Sequence, residues 1–356
     1  MIPSRISRFS ASSFVAAGRH ILKSIYAAER PEGMGAVVRR SLGTIQMRHH
    51  DPFLLLDEFW VEPNGGFPDH PHRGFETVTY LLSGHIQHED FAGHKGKIGP
   101  GDLQWMTAGR GIVHCEMPVK DADDTASADT GAKDTLTTHG LQLWVNLSHK
   151  DKSCDPQYQD RRDHQIPRAH PKEGVTVKVI AGEAHRAKSE VHTRTPAIYL
   201  DYKMKPHQTI EQRIPRDYAG FAYMLSGKAH FGDGVASTAP STRPREALDE
   251  TRNRAKSNEN RSRPFEGRAH EALILSQGED ADEDILRIQT RDEEAHFVVL
   301  AGQPLREPIV QDRLFVMNSQ DEVKQTLEDF RQFKNGFEKA KEWRSDIAPK
   351  GYRLKF

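Results

Sequence analysis

Cysteine is nearly absent: the 356-residue chain has two, Cys115 and Cys154. Neither sits in a C-x-x-C pair, which argues against thiolate zinc, iron–sulfur clusters and a disulfide framework and fits a reducing compartment. An excess of either charge is missing too. Lys plus Arg total 50 against 51 acids, so no global field points to nucleic acid. No apolar run approaches the ~18 residues that span a bilayer. No G-x-S-x-G occurs, and no glycine-rich loop joins a strand to a helix, so the nucleophile-elbow and phosphate-loop signatures are absent. Acids are missing from the first 28 residues, which hold Arg5, Arg8, Arg19, Lys23 and six serines. That bias fits a disordered tail or a mitochondrial presequence.

From Val37 onward, short apolar stretches alternate with turn signals. Phe53–Leu56, Thr77–Leu82, Leu103–Met106, Leu141–Leu147, Val175–Ile180, Ala197–Tyr202, Phe221–Leu225 and Phe297–Leu300 are separated by Gly, Pro and Asp. Many short strands at close spacing predict an all-β chain of sandwiches or barrels. The stretch Val78-Thr79-Tyr80-Leu81-Leu82-Ser83-Gly84 echoes Phe221-Ala222-Tyr223-Met224-Leu225-Ser226-Gly227, which suggests two copies of one unit. Residues 121–138 and 235–268 read as polar insertions. The second carries seven arginines, but its five acids dilute the charge and favour a solvated linker over a nucleic-acid patch. Near the end, Val323, Leu327, Phe330, Phe337 and Ala340 keep helical spacing, with Asp321 and Glu322 first and Lys339, Lys341 and Arg344 last. This predicts a C-terminal helix laid on a barrel.

Two short motifs carry the chemistry: His70-Pro71-His72 and His114-Cys115-Glu116. On a strand, residues i and i+2 share a face. Two such strands facing one another converge three imidazoles and a carboxylate, a donor set for a first-row transition metal with coordination positions to spare. Cys115, between two inward ligands, should point outward and serve packing. Glu116 is the candidate general base if it loosens from the ion. Glu76, four residues beyond His72, would share its face on a continuous strand and either orient an imidazole or serve as a structural salt-bridge acid. His88 and His94 flank the region in a loop, and Arg73 and Arg110 suit either substrate contact or carbonyl anchoring. The second half offers His230, His270 and His296 without pairing, so its barrel is expected to hold no metal.

The runs Asp51–Phe59, Gly65–Thr77, Gly101–Pro118, Gly140–Leu147, Pro304–Pro308 and Lys334–Glu338 resemble the pirin family closely. The resemblance implies two cupin barrels, each a jelly-roll or double-stranded β-helix. It places one iron (Fe2+/Fe3+; other divalent transition metals also fit) in the first barrel, on His70, His72, His114 and Glu116. Domain boundaries follow: an N-terminal extension at 1–35, the metal-binding cupin at 36–150, a metal-free cupin at 151–320, and the helix and tail at 321–356. Phe67 and His94 are expected near the pocket. The implied activity is a quercetinase-type opening of a flavonol ring with dioxygen. The alternative is a redox-sensitive cofactor that binds transcription factors. Both imply a monomer that contacts neither nucleic acid nor membrane. The family implies nucleus and cytoplasm, and mitochondria become the destination if residues 1–35 are a presequence. The long N-terminal extension and the two insertions depart from the family pattern; the four ligand positions do not.

Overall fold

A computed structural model describes residues 18–119, 138–232, 264–277 and 283–350. Two ten-stranded antiparallel sheets dominate it, one from each half of the chain, and each curls into a cupin barrel. Among the described residues, no helix is long and apolar enough to cross a membrane.

The first sheet is organised by one 20-residue strand, Phe53–His72. Its N-terminal half pairs with Met34–Leu42 and Thr138–Asn146, and its C-terminal half pairs with Ile112–Pro118. The change of partner occurs at Gly65-Gly66. Gly66 has φ +138°, and a Cβ there would lie 2.6 Å from Met117 Sδ, so only glycine lets the strand bend at this point.

The order in the second sheet, Glu271–Leu275, Ala219–Phe231, Ala295–Gly302, Ala197–Met204, Val175–Ala181, repeats that of Leu103–Thr107, Phe75–Ser83, Thr138–Asn146, Phe53–His72, Met34–Leu42 in the first. The two echo sequences fall on equivalent strands, Phe75–Ser83 and Ala219–Phe231. The inner sheets of the two barrels meet face to face through Phe53, Val78, Trp105, Tyr199, Phe221 and Val298, all fully buried. Hydrogen bonds cross this interface, among them Tyr80 Oη donating to Asp201 (2.6 Å), Tyr223 Oη to Glu58 (2.8 Å) and Lys178 Nζ to Tyr80 Oη (3.0 Å).

Three expected boundaries change. Residues 18–35 are not a tail: Ile21–Tyr26 pairs along Glu271–Leu275 at the edge of the second sheet. Its buried Ile21 packs into the core of the second barrel and its buried Ile25 into the core between the barrels. Arg19, also buried, donates to the carbonyls of Pro215, Arg216 and Tyr218. Conversely, Gln157–Arg161 lies beyond residue 150 yet pairs with Leu103–Thr107 in the first sheet. Each barrel is therefore edged by a strand from outside its own span. Phe265–Arg268, assigned to the second insertion, is a strand paired with Ala219–Phe231. Residues 1–17, 121–137 and 235–263 of the extension and insertions lie outside the described residues.

The C-terminal helix spans Gln320–Gln332. The Ser319 side chain caps it by accepting from Glu322 N, and Phe333 ends it at φ +53°. Phe330, with Phe337 and Ala340 beyond the helix, packs on Met106, Ile112 and Val113 of the first barrel.

Candidate metal centre

The pairing of Phe53–His72 with Ile112–Pro118 sets His70 directly opposite His114 and His72 opposite Ile112. Alternation then turns His70, His72, His114 and Glu116 to one face. Ring centroids lie 4.8 Å apart for His70 and His72, 4.3 Å for His70 and His114, and 5.0 Å for His72 and His114. One potential ligand atom from each imidazole falls within 4.8 Å of the others, a group able to hold a metal ion. The Nε2 atoms of His70 and His114 are 2.8 Å apart. Glu116 Oε2 stands 4.0 Å from His114 Nε2, while its Oε1 accepts from Thr79 Oγ1 at 3.1 Å.

The electrostatics favour a cation. Burial pushes all three imidazoles toward the neutral, ligating form, His70 to about 4; neighbouring imidazoles push His72 and His114 further down. Burial raises the Glu116 carboxyl, with only the Thr79 hydroxyl and the more distant His88 opposing it. His70 Nδ1 lies 2.8 Å from Pro68 O, which makes Nδ1 the protonated nitrogen and turns the Nε2 lone pair toward the other ligands. The buried Nδ1 of His114 has no hydrogen-bond partner among the described residues. Three neutral nitrogens, one carboxylate and no thiolate fit a first-row transition metal.

The centre forms the floor of a cavity of about 890 Å³. Phe67 lines it, as expected, with Phe59, Leu55, Trp144 and Leu314. Phe75 stands edge-on to His72 at 5.1 Å and Trp144 at 5.5 Å. Phe75, Thr79 and Trp144 escaped sequence reasoning. Their one signal was a place on the inward face of strands that carry no metal-binding motif. Leu314 comes from the second half of the chain, on the hairpin Val310–Asp312 and Phe315–Met317, which reaches across to the first barrel.

Glu76 does not join the site. Gly74, at φ +88°, ends the strand after His72, and a Cβ there would collide with Val316 O. Glu76 therefore belongs to the next strand, on the face of Val78 and Tyr80, toward the inter-barrel core. It accepts from Thr107 Oγ1 at 2.7 Å, and burial pushes its carboxyl up to about 7. His94 also stands aside, half exposed, with Nδ1 2.7 Å from Asp90. His88 lies in register beside Glu116 and stacks on Tyr158, outside the three-histidine group. Arg73 anchors structure, bonding Arg110 O, Asn335 O and Asp329, while Arg110 pairs at the surface with Asp155. Cys115 is fully buried on the outward side, near Ser345 and Asp69, and burial pushes its thiol up to about 12. Packing, not ligation, is its role.

Comparison with known proteins bears on the family and the fold. The Pirin family model matches residues 35–145, and the Pirin C-terminal cupin domain model matches residues 199–336. Pirin of Homo sapiens is 44% identical over 332 residues, covering 93% of this chain and 98% of that protein. Among solved structures, a quercetin 2,3-dioxygenase from Acinetobacter baumannii superposes with TM-score 0.71 and 28% identity, covering 90% of this chain and 99% of that one. A bacterial pirin from Escherichia coli, in complex with nickel(II), shares the fold at TM-score 0.53 and 16% identity, covering 78% of this chain and 95% of that one.

Proposed function

This chain belongs to the pirin family, and on that premise we propose that it is a metal-dependent dioxygenase of the quercetinase type. The observation that carries the reading is the convergence of three imidazoles, His72 and His114 buried and His70 partly buried, at a large cavity lined in part by Phe59, Phe67 and Trp144. His70, His72, His114 and Glu116 would hold the ion, iron by family resemblance. When bound, the metal supplies Lewis-acid activation of a substrate hydroxyl and a site for dioxygen chemistry.

The protein's own groups do the rest. Phe67, Phe59 and Trp144 form apolar walls that accept a flat aromatic substrate and exclude water. Glu116 Oε2 is the proton acceptor for the flavonol 3-hydroxyl. Thr79, by holding Oε1, leaves Oε2 turned toward His114. Gln142 donates to Thr79 Oγ1 at 3.2 Å and fixes that hydroxyl in turn.

The test is metal analysis of the full chain, then Fe(II) loading without oxygen and aerobic loss of flavonol absorbance. Wild type is expected to turn over the flavonol and His70→Ala to be inactive. Equal rates in the two proteins would overturn the reading.

A further inference from the structure

The duplicated fold builds one row of side chains twice, and the two copies end differently. In the first barrel, backbone register aligns Ser83, His139, Trp60 and Val37 across four strands. In the second it aligns Ser226, His296, Lys203 and Thr176. Two residues further along, the rows are Tyr80, Leu141, Glu58, Arg39 and Tyr223, Val298, Asp201, Lys178. His296 thus occupies the place of His139, Asp201 that of Glu58, and Lys203 that of Trp60.

Both imidazoles are held by a buried carboxylate. His139 Nε2 is 2.9 Å from Glu58 Oε1, and His296 Nε2 is 2.7 Å from Asp201 Oδ1. In the first barrel the position is filled. The Trp60 indole stacks on His139 at 4.5 Å, and His270, itself 2.8 Å from Glu58, stands edge-on to the indole at 6.2 Å. In the second barrel a lysine replaces the indole and a cavity of about 640 Å³ opens over His296. Lys172, Lys203 and Lys205 line it, with Glu173 and Glu294 as the opposing charges. Lys203, on the strand Ala197–Met204, and Lys205, just beyond its end, have no ion-pair partner among the described residues.

We propose that this cleft is a second ligand site, separate from the metal centre, for a small anion bearing a carboxylate or phosphate group. Asp201 accepts the Nε2 proton of His296, so Nδ1 is the nitrogen left for a ligand. Asp201 thus fixes the ring so that Nδ1 can meet a polar group of the ligand, while the lysine ammonium supplies the charge-assisted bond to the anion. Lys203, in register beside His296, supplies the adjacent positive charge. The Asp201 carboxylate is fully enclosed and bonded to Tyr80 as well, so the imidazole is held in place before the ligand arrives.

Isothermal titration of the full-length protein with inorganic phosphate and, separately, with succinate tests this. One site per chain is expected. Phosphate alone binding identifies a phosphoryl ligand, succinate alone a carboxylate, and either result supports the site. Lys203→Met should weaken binding by about tenfold, equivalent to about 1.4 kcal/mol. Lys203→Arg should restore most of it, which separates charge from folding. His70→Ala should bind as wild type. The proposal is overturned if neither probe binds at millimolar concentration. It also fails if Lys203→Met binds normally, or if His70→Ala abolishes binding and so places the anion on the metal.

Discussion

Arg73 Nη1 lies 2.9 Å from Asp329 Oδ2, joining the residue after the ligand His72 to the C-terminal helix. Both side chains are buried, at 7% and 4% exposure, and the guanidinium also donates to Arg110 O and Asn335 O. The helix is therefore tied to the chain segment that carries His70 and His72 of the candidate metal centre.

Asp329→Ala leaves a guanidinium buried without its counter-charge and should cost about 3–5 kcal/mol. Calorimetry should show a lower Tm, and metal analysis a lower occupancy. A drop of less than about 1 kcal/mol would mean that the pair is solvated.

The same pair sets an acid limit. Burial alone would raise the Asp329 carboxyl, but Arg73, with Gln325 and Asn335, holds it below the ordinary value. A depressed folded pKa stabilises the protein above the unfolded value of about 3.9, and that contribution drains away as pH falls through the lower folded value. Below about pH 4, stability should therefore fall more steeply in wild type than in Asp329→Asn as pH drops through the lowered carboxyl value. Parallel denaturation curves for the two proteins would contradict this.

Thr79 touches Glu116 and not the other ligands. Thr79→Val keeps the shape and removes the hydroxyl, so metal affinity or turnover should fall about 10–100-fold. Competition with a chelator measures it. An unchanged affinity and rate would remove Thr79 from the site.

Tyr80 and Tyr223 each donate to a buried carboxylate of the opposite barrel. Tyr80→Phe and Tyr223→Phe should each cost about 1.5–3 kcal/mol, the usual contribution of a hydrogen bond to a charged group. Urea unfolding of the full chain reads this out.

Deleting residues 1–26 removes a paired strand and exposes the Glu271–Leu275 edge. Loss of Ile21 and Ile25 burial alone should cost about 3–6 kcal/mol, and the open edge should promote aggregation. A deletion variant with wild-type Tm that remains soluble would show the strand to be dispensable.

Much of the metal centre was legible because its geometry is local. His70 and His72, or His114 and Glu116, share a face whenever their segment is extended. Cys115 points away for the same reason. The C-terminal helix was legible from its apolar spacing and its terminal charges. Glu76 misled because the argument from His72 assumed a continuous strand, and Gly74 interrupts it. Trp144 and Phe75 were invisible because nothing in their own segments marks them; their role comes from standing against His72.

By itself, then, the sequence determined the family through its motifs, and the β architecture, the candidate ligand-bearing face and the helix through periodicities of two or 3.6 residues. Tertiary structure alone decided what depends on register between distant strands. It set which barrel the Ile21–Tyr26 strand completes, anchored Arg73 on Asp329, and reached the Leu314 hairpin over the metal site. It also placed His296 against Asp201 with Lys203 alongside. Cross-strand neighbours are chosen by which edges find a partner during folding, and a chain read residue by residue carries no local mark of that choice.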